Sequence, residues 1–249
     1  MAGHSHWKQI KRQKGAADAK KGSLFTKAAR EIQIAVKQGG PNPAANFSLS
    51  IAVDRARAVN MPKDSIERAI ERAAGAGQAE QIDEVLYEGY GPHGVAILME
   101  TLTDNRNRTV SQIRTILTKR GGNMAEGGAV AWQFDQKGVI LIELGKQDPD
   151  EVSLMAIDLG ADDVVPYDGE LEVLTAPENL QAVREGLLKA RLNVKSAELA
   201  RLPKVPMTLS EADTEQVMGV IEALEDLDDV QRVFSNLEVP DEMFEKMGA

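Results

Sequence analysis

Between residues 23 and 75 the apolar positions recur with the 3.6-residue period of amphipathic helices. Leu24, Ala28, Ile32 and Ala35, with Phe25 and Val36 beside them, make one stripe, which Gly39-Gly40-Pro41 ends. Asn42-Pro43 offers an N-cap and a first-turn proline for a second helix, with Leu49, Ala52, Val53, Ala56 and Val59 inward. Pro62 opens a third, with Ile66, Ala69, Ile70 and Ala73 inward and Gly75 as its stop. Three short amphipathic helices predict a small bundle. Gly75-Ala76-Gly77-Gln78-Ala79 reads as a linker. Ahead of the bundle, Gly3 to Lys21 alternates cations with small or polar residues and has little periodicity, the pattern of an arm.

Beyond the linker the period becomes that of sheets. Strands are expected over 85–90, 94–102 and 129–134, with a helix over 106–119 that turns Val110, Ile113 and Leu117 inward. From Lys137-Gly138 the order is strand 139–144, helix 149–159, strand 163–167, strand 170–174, helix 177–191 and strand 194–200. This βαββαβ order is the split βαβ of ferredoxin-like domains, with Val139, Leu141, Ile157, Leu159, Val164, Leu171, Val173, Val183 and Leu187 as its expected core. A last helix, 211–227, and a strand near 230–239 cannot fold alone, so they are expected to complete the sheet begun by 80–136. The expected class is α+β and multidomain: a basic helical domain (1–75), an α/β domain (80–136 with 204–240) and a ferredoxin-like domain inserted between its parts (137–203). Val164 stands seven residues before Leu171, and Val230 seven before Leu237, each after a pair of aspartates, so an internal duplication is one reading and coincidence the other.

Charge divides the chain at the linker. The net charge is −10, yet residues 1–75 carry 14 Lys and Arg against 6 acids, leaving 15 against 33 for the rest. Nine cations fall within the first 37 residues: Lys8, Lys11, Arg12, Lys14, Lys20, Lys21, Lys27, Arg30 and Lys37. Such a run neutralises phosphates and releases counterions, while His6 or Trp7 can stack on a base or enter a groove. Its continuation onto a helical bundle favours a nucleic-acid footprint over a merely solvated tail. Nothing in it separates DNA from RNA.

The remaining chemistry is sparse. With no cysteine there are no disulfides, thiolate metal sites or cysteine nucleophiles. No apolar run approaches the ~18 residues of a membrane span, and the basic start lacks the apolar core of a signal peptide, so cytoplasm is expected and no membrane partner. Gly89-Tyr90-Gly91-Pro92-His93-Gly94 fits G-x-G-x-x-G, but it leads into a strand rather than a helix, so a hairpin turn is expected instead of a dinucleotide site. Of three histidines, two (His4 and His6) lie in the arm, where nothing holds them for catalysis. The carboxylates Glu222, Glu225, Asp226, Asp228 and Asp229 read as a solvated helix face and its end. No enzyme, cofactor or small-molecule substrate is expected. If Met1 were removed, the amine, amides and imidazole of Ala2-Gly3-His4 could surround Cu(II) or Ni(II), but a histidine serving the arm's other contacts explains His4 as well, and no metal is assigned.

Thr103-Asp104-Asn105-Arg106-Asn107-Arg108-Thr109 joins a strand to a helix and leaves two readings open. Free N–H groups and the helix dipole beside Arg106 and Arg108 would make a phosphate pocket. Alternatively, Asp104 or Asn105 caps the helix and the arginines pair with acids.

Several segments taken in order resemble the YebC/PmpR family. They are Met1 to Lys8, Gly39 to Pro43, Asn60-Met61-Pro62, Tyr87 to Pro92, Thr103 to Thr109, Gly121-Gly122-Asn123, Val130-Ala131-Trp132-Gln133-Phe134 and Asp229 to Val233. The resemblance implies a cytoplasmic protein with a helical N-terminal domain and two α/β domains, a transcriptional regulator that binds DNA. It also implies a second reading, since mitochondrial relatives look like translational activators and bacterial members are associated with the ribosome. A protein-interaction scaffold with an incidental basic arm is the third. The broad turn at Gly39-Gly40-Pro41 is a weak helix-turn-helix signal and fits phosphate- or shape-based contact.

Overall fold

The computed structural model describes residues 21–75, 81–167, 169–239 and 243. The arm and the linker residues 76–79 lie outside them. The chain is mixed α and β, with its two four-stranded sheets in separate compact units. Residues 135–202 make the smaller unit; the larger takes the flanking chain up to Phe134 and from Pro203 onward. Packing thus groups the helical bundle with the first sheet.

The bundle comprises α1 (Lys21–Gly39), α2 (Phe47–Ala58) and α3 (Lys63–Ala74) around Ala28, Ile32, Ala35, Leu49, Ala52, Val53, Ala56 and Ile66. The cap of α2 is Asn46, four residues later than the Asn42 expected. Its Oδ1 accepts from Leu49 N at 3.1 Å, while its Nδ2 donates to Ala35 O at 2.7 Å and Gly40 O at 2.8 Å. One buried amide therefore ties the end of α1 to the start of α2. A side chain at Gly39 would lie 2.7 Å from Asn46 Cγ, so only glycine admits this contact. Asn42 instead closes a turn, accepting from Ala44 N.

In the larger unit β1 (Asp83–Tyr90) and β2 (Ala96–Thr103) form a hairpin, α4 spans Arg106–Lys119, and β3 (Asn123–Met124) returns along β1. The hairpin closes through a 3₁₀ turn at Pro92–Gly94, with positive φ at His93 and Gly94. After the smaller unit come β8 (Met207–Thr208), α7 (Glu211–Glu225), β9 (Val230–Ser235) and β10 (Leu237–Glu238). The sheet order is β3-β1-β2-β9. Alternation along β2, with a register shift in its pairing to β9 at Glu100/Thr101, sends Ile97, Met99, Val230 and Val233 to one face, where they pack with Ile113 and Leu117 of α4 and Val217, Val220 and Leu224 of α7.

The smaller unit holds β4 (Phe134–Glu143), α5 (Pro149–Asp158), β5 (Asp163–Tyr167), β6 (Glu170–Thr175), α6 (Leu180–Lys189) and β7 (Asn193–Pro203), with sheet order β5-β6-β4-β7. That is the ferredoxin-like order, with β4–β6 and β5–β6 antiparallel. Helix α5 buries Val152 and Ala156, one turn apart, and leaves Ile157 exposed, against expectation. Its Val-Ser-Leu-Met-Ala-Ile run is apolar almost all round, so its period does not select a face. The first turn expected of α6 is a separate 3₁₀ turn, Pro177–Asn179.

Three further expectations change. Residues 131–133 form a 3₁₀ turn and the strand begins only at Phe134. The backbone N–H groups of Gly128, Val130 and Ala131 are taken by the Glu88 carboxylate, so they are not offered to a neighbouring strand. The strand near 230–239 is broken at Asn236, whose Oδ1 accepts from Ala96 N while its own carbonyl accepts from Met207 N. Consequently β10 leaves the sheet and pairs with β8 in parallel. The two similarly spaced segments therefore differ in their pairing: β5 and β6 are neighbours in one sheet, whereas β9 and β10 belong to two.

Candidate nucleic-acid interface

Of the residues expected to contact nucleic acid, His4, His6, Trp7, Lys8, Lys11, Arg12, Lys14 and Lys20 lie outside the described residues. Lys21 begins α1, and its side chain is not among those described. Lys27, Arg30, Arg106 and Arg108 can be placed, and two of them, Arg30 and Arg108, meet around one carboxylate.

Asp229 begins the approach to β9 and is 3% exposed. It was expected on a solvated helix end; it is instead the pivot of the junction. Arg30 of α1 donates from Nη1 to its Oδ1 at 2.7 Å and to Asp228 O at 2.9 Å. Arg108, in the first turn of α4, donates from Nη2 to Oδ2 at 2.8 Å. The Thr109 hydroxyl donates to Oδ2 at 2.6 Å and lies 2.7 Å from that of Thr103. Lys27 reaches Glu225 O at 2.5 Å, and the Ser23 hydroxyl donates to Asp228 at 2.6 Å. One face of α1 is thereby fastened to the chain between α7 and β9.

Both halves of the second open reading are visible in the junction itself. Asn105 is the N-cap of α4, its Oδ1 accepting from Arg108 N at 3.0 Å. Arg106 pairs with Asp83 at 2.7 Å, and Arg108 with Asp104 at 2.5 Å as well as with Asp229. Three arginines thus face three carboxylates, and a phosphate would have to displace one of these acids to be held. Arg106, 62% exposed, is the most available of the three.

The charge states follow from this geometry. Burial works to raise the Asp229 pKa, but the Thr109 and Arg108 hydrogen bonds and the positive charge of Arg30 outweigh it, leaving the group below its ordinary value. Asp104 is lowered as well, mainly by its hydrogen bond from Arg108. Arg108 is raised by hydrogen bonds to Asp104 and then Asp229, and stays charged throughout. Burial raises the Tyr87 phenol, whose hydroxyl donates to Arg106 O.

A second buried carboxylate escaped the sequence reading. Glu88 of β1 lies on the sheet face opposite α4 and α7, as does Tyr90, two residues along. Its carboxylate accepts from Gly128 N and Val130 N at 2.6 Å and from Ala131 N at 2.8 Å, while the Tyr90 hydroxyl donates to Ala129 O at 3.3 Å. The chain between β3 and β4 is therefore pinned across that face. Only a charged residue inside an apolar strand hinted at this.

No group of His, Asp and Glu among the described residues could hold a metal ion, and no described helix is long and apolar enough to cross a membrane. His93 Nε2 lies 3.0 Å from Gln216 Oε1 and 3.4 Å from Asp213 Oδ1, tying the β1–β2 turn to α7.

A two-unit α+β chain of this topology defines a known class. The model of the TACO1/YebC N-terminal domain matches residues 5–76, and that of the TACO1/YebC second and third domain matches residues 82–237. The chain belongs to the TACO1/YebC family. Curated relatives named "Probable transcriptional regulatory protein" include one from Herpetosiphon aurantiacus, 50% identical over 99% of this chain and 98% of its own. Another, from Chloroflexus aurantiacus, is 48% identical over the whole of both. The crystal structure of a conserved hypothetical protein from Aquifex aeolicus is similar, with a TM-score of 0.82 and 41% identity, covering 91% of this chain and 94% of that one.

Proposed function

We propose that this protein is a cytoplasmic, non-enzymatic regulator of transcription that binds DNA through residues 1–75, by phosphate and shape contacts more than by base readout. The observation that carries this reading is the charge division at the linker, 14 cations against 6 acids before it and 15 against 33 after it. An acidic remainder repels a polyanion except where a local site intervenes, so binding is expected to concentrate in the basic part. The names of the relatives support a regulatory role at the level of the family.

A second reading, an RNA- or ribosome-associated translation factor, is favoured by one observation. Helices α1 and α2 are separated by residues 40–46, with Asn46 buried in the connection, rather than by the tight turn of a helix-turn-helix, and α2 presents a paired Asp54 and Arg57 outward. Sequencing DNA and RNA crosslinked to the protein in the same cells separates the two. Enrichment of discrete DNA sites supports the regulator, ribosomal or messenger RNA supports the factor, and recovery of neither leaves only a protein scaffold.

A further inference from the structure

We infer that Trp132 is a stacking platform for an unpaired nucleobase, with Lys204 beside it to meet the adjoining phosphate. The inference rests on the nucleic-acid reading above and assigns it a contact in the acidic part of the chain, away from the basic arm.

Trp132 is 67% exposed, the largest side chain presented to solvent among the described residues. An exposed indole on a slack loop would be unremarkable, but this one is held from several sides. Glu88 takes the backbone N–H groups of Gly128, Val130 and Ala131, and the Val130 side chain is fully buried. Gly128 has φ +88, a left-handed turn that lets the chain double back over the carboxylate. From the other side, Lys204 N donates to Gln133 O at 2.8 Å and Lys204 Nζ to Trp132 O at 2.9 Å. The ring itself is fixed by its N–H, which donates to Ala129 O at 3.0 Å.

The orientation of the indole selects its partner. Its one polar group is taken up by the loop's own Ala129 carbonyl, so what remains is an aromatic surface, which binds by stacking and accepts any base. The loop around it offers Gly127, Gly128, Ala129, Ala131 and Gln133, and the Lys204 side contributes Val205 and Pro206. These neighbours are mostly small side chains, whereas a stable protein interface takes roughly 800 Å² per partner. The Lys204 ammonium, bonded to the carbonyl of the same tryptophan, brings a cation to this loop, the charge that complements a nucleotide's phosphate. A duplex hides its base faces, so the preferred ligand is single-stranded.

The test uses the full chain labelled with 5-fluorotryptophan, whose two fluorine resonances, from Trp7 and Trp132, are assigned with Trp132→Phe. A uridine dodecamer, a thymidine dodecamer and a duplex of equal length are titrated in. The Trp132 signal is expected to move with the single strands and not with the duplex. Trp132→Ala is expected to weaken single-strand binding by about tenfold, Trp132→Tyr to retain most of it, and the melting temperature to stay unchanged. If the single strands bind but move only the Trp7 signal, and Trp132→Ala binds as tightly as the parent, the platform is wrong while the nucleic-acid reading stands. If no oligonucleotide binds, both fail together. If the Trp132 signal moves only on concentrating the protein, the ring is a contact between copies of the chain, and the inference is overturned.

Discussion

Two connections in the larger unit, the strand-to-helix junction at 103–109 and the loop at 126–133, are each organised by one buried carboxylate, with opposite outcomes. Asp229 draws in the charged ends of Arg30 and Arg108, so the junction's cations are matched by acids. Glu88 draws in backbone N–H groups, so the loop is fixed while its largest side chain stays outside. Buried carboxylates must be satisfied, and what satisfies them decides which neighbouring groups are left to act. The sequence left the junction's arginines open between holding a phosphate and pairing with acids, and the geometry shows the acid pairs.

Removing Asp229 should perturb this pattern most. Asp229→Ala leaves Arg30 facing a cavity with part of its charge unmatched, and removing one partner of a buried pair costs about 3–5 kcal/mol. Melting is expected to fall by roughly 10 °C, with faster amide exchange in α1, measurable calorimetrically and by deuterium uptake. Glu88→Gln is expected to cost less, about 2–3 kcal/mol: the amide oxygen still accepts on one side, while the new NH2 faces a backbone N–H on the other and the charge assistance disappears. Its signature is local: faster exchange at Gly128, Val130 and Ala131 with that of α1 unchanged.

Acid separates the same elements without mutation. The Asp229 carboxyl is lowered on folding, so its contribution is complete above its unfolded value, ordinarily 3.8, and disappears as the pH falls through the lower folded value. Stability of the larger unit is therefore expected to drop below about pH 4, and Asp229→Asn, already uncharged, to flatten that part of the profile in a pH series of denaturant melts. Arg106→Ala should change stability least, by below about 1 kcal/mol, because its pair with Asp83 is exposed.

The sequence was most legible where the chain's local chemistry is self-sufficient. The strand expected at 163–167 is observed with those bounds, and α3 runs between Pro62 and Gly75, the start and stop that its sequence offers. Legibility failed where a distant group intervenes. Arg108 meets Asp229 across 121 positions, and Glu88 meets Val130 across 42, separations at which no periodicity operates. Asn42 and Asn46 are equally good caps by residue type, and only the end of α1 shows why the second is used. The site was half legible for the same reason: counting charge found the basic part, but not which of its cations are already engaged.

The proposed function assigns affinity for nucleic acid to the arm and not to the junction, and the salt dependence of binding distinguishes the two. Binding constants of the full chain are to be measured against salt beside two variants, one with Lys8, Lys11, Arg12 and Lys14 changed to Gln and one with Arg106 and Arg108 changed to Gln. The arm variant is expected to show a log–log slope shallower by about 0.7–0.9 for each phosphate that it no longer neutralises, and the junction variant, per folded molecule, an unchanged slope. An arm variant that keeps the parent slope beside a junction variant with a shallower one would overturn the assignment.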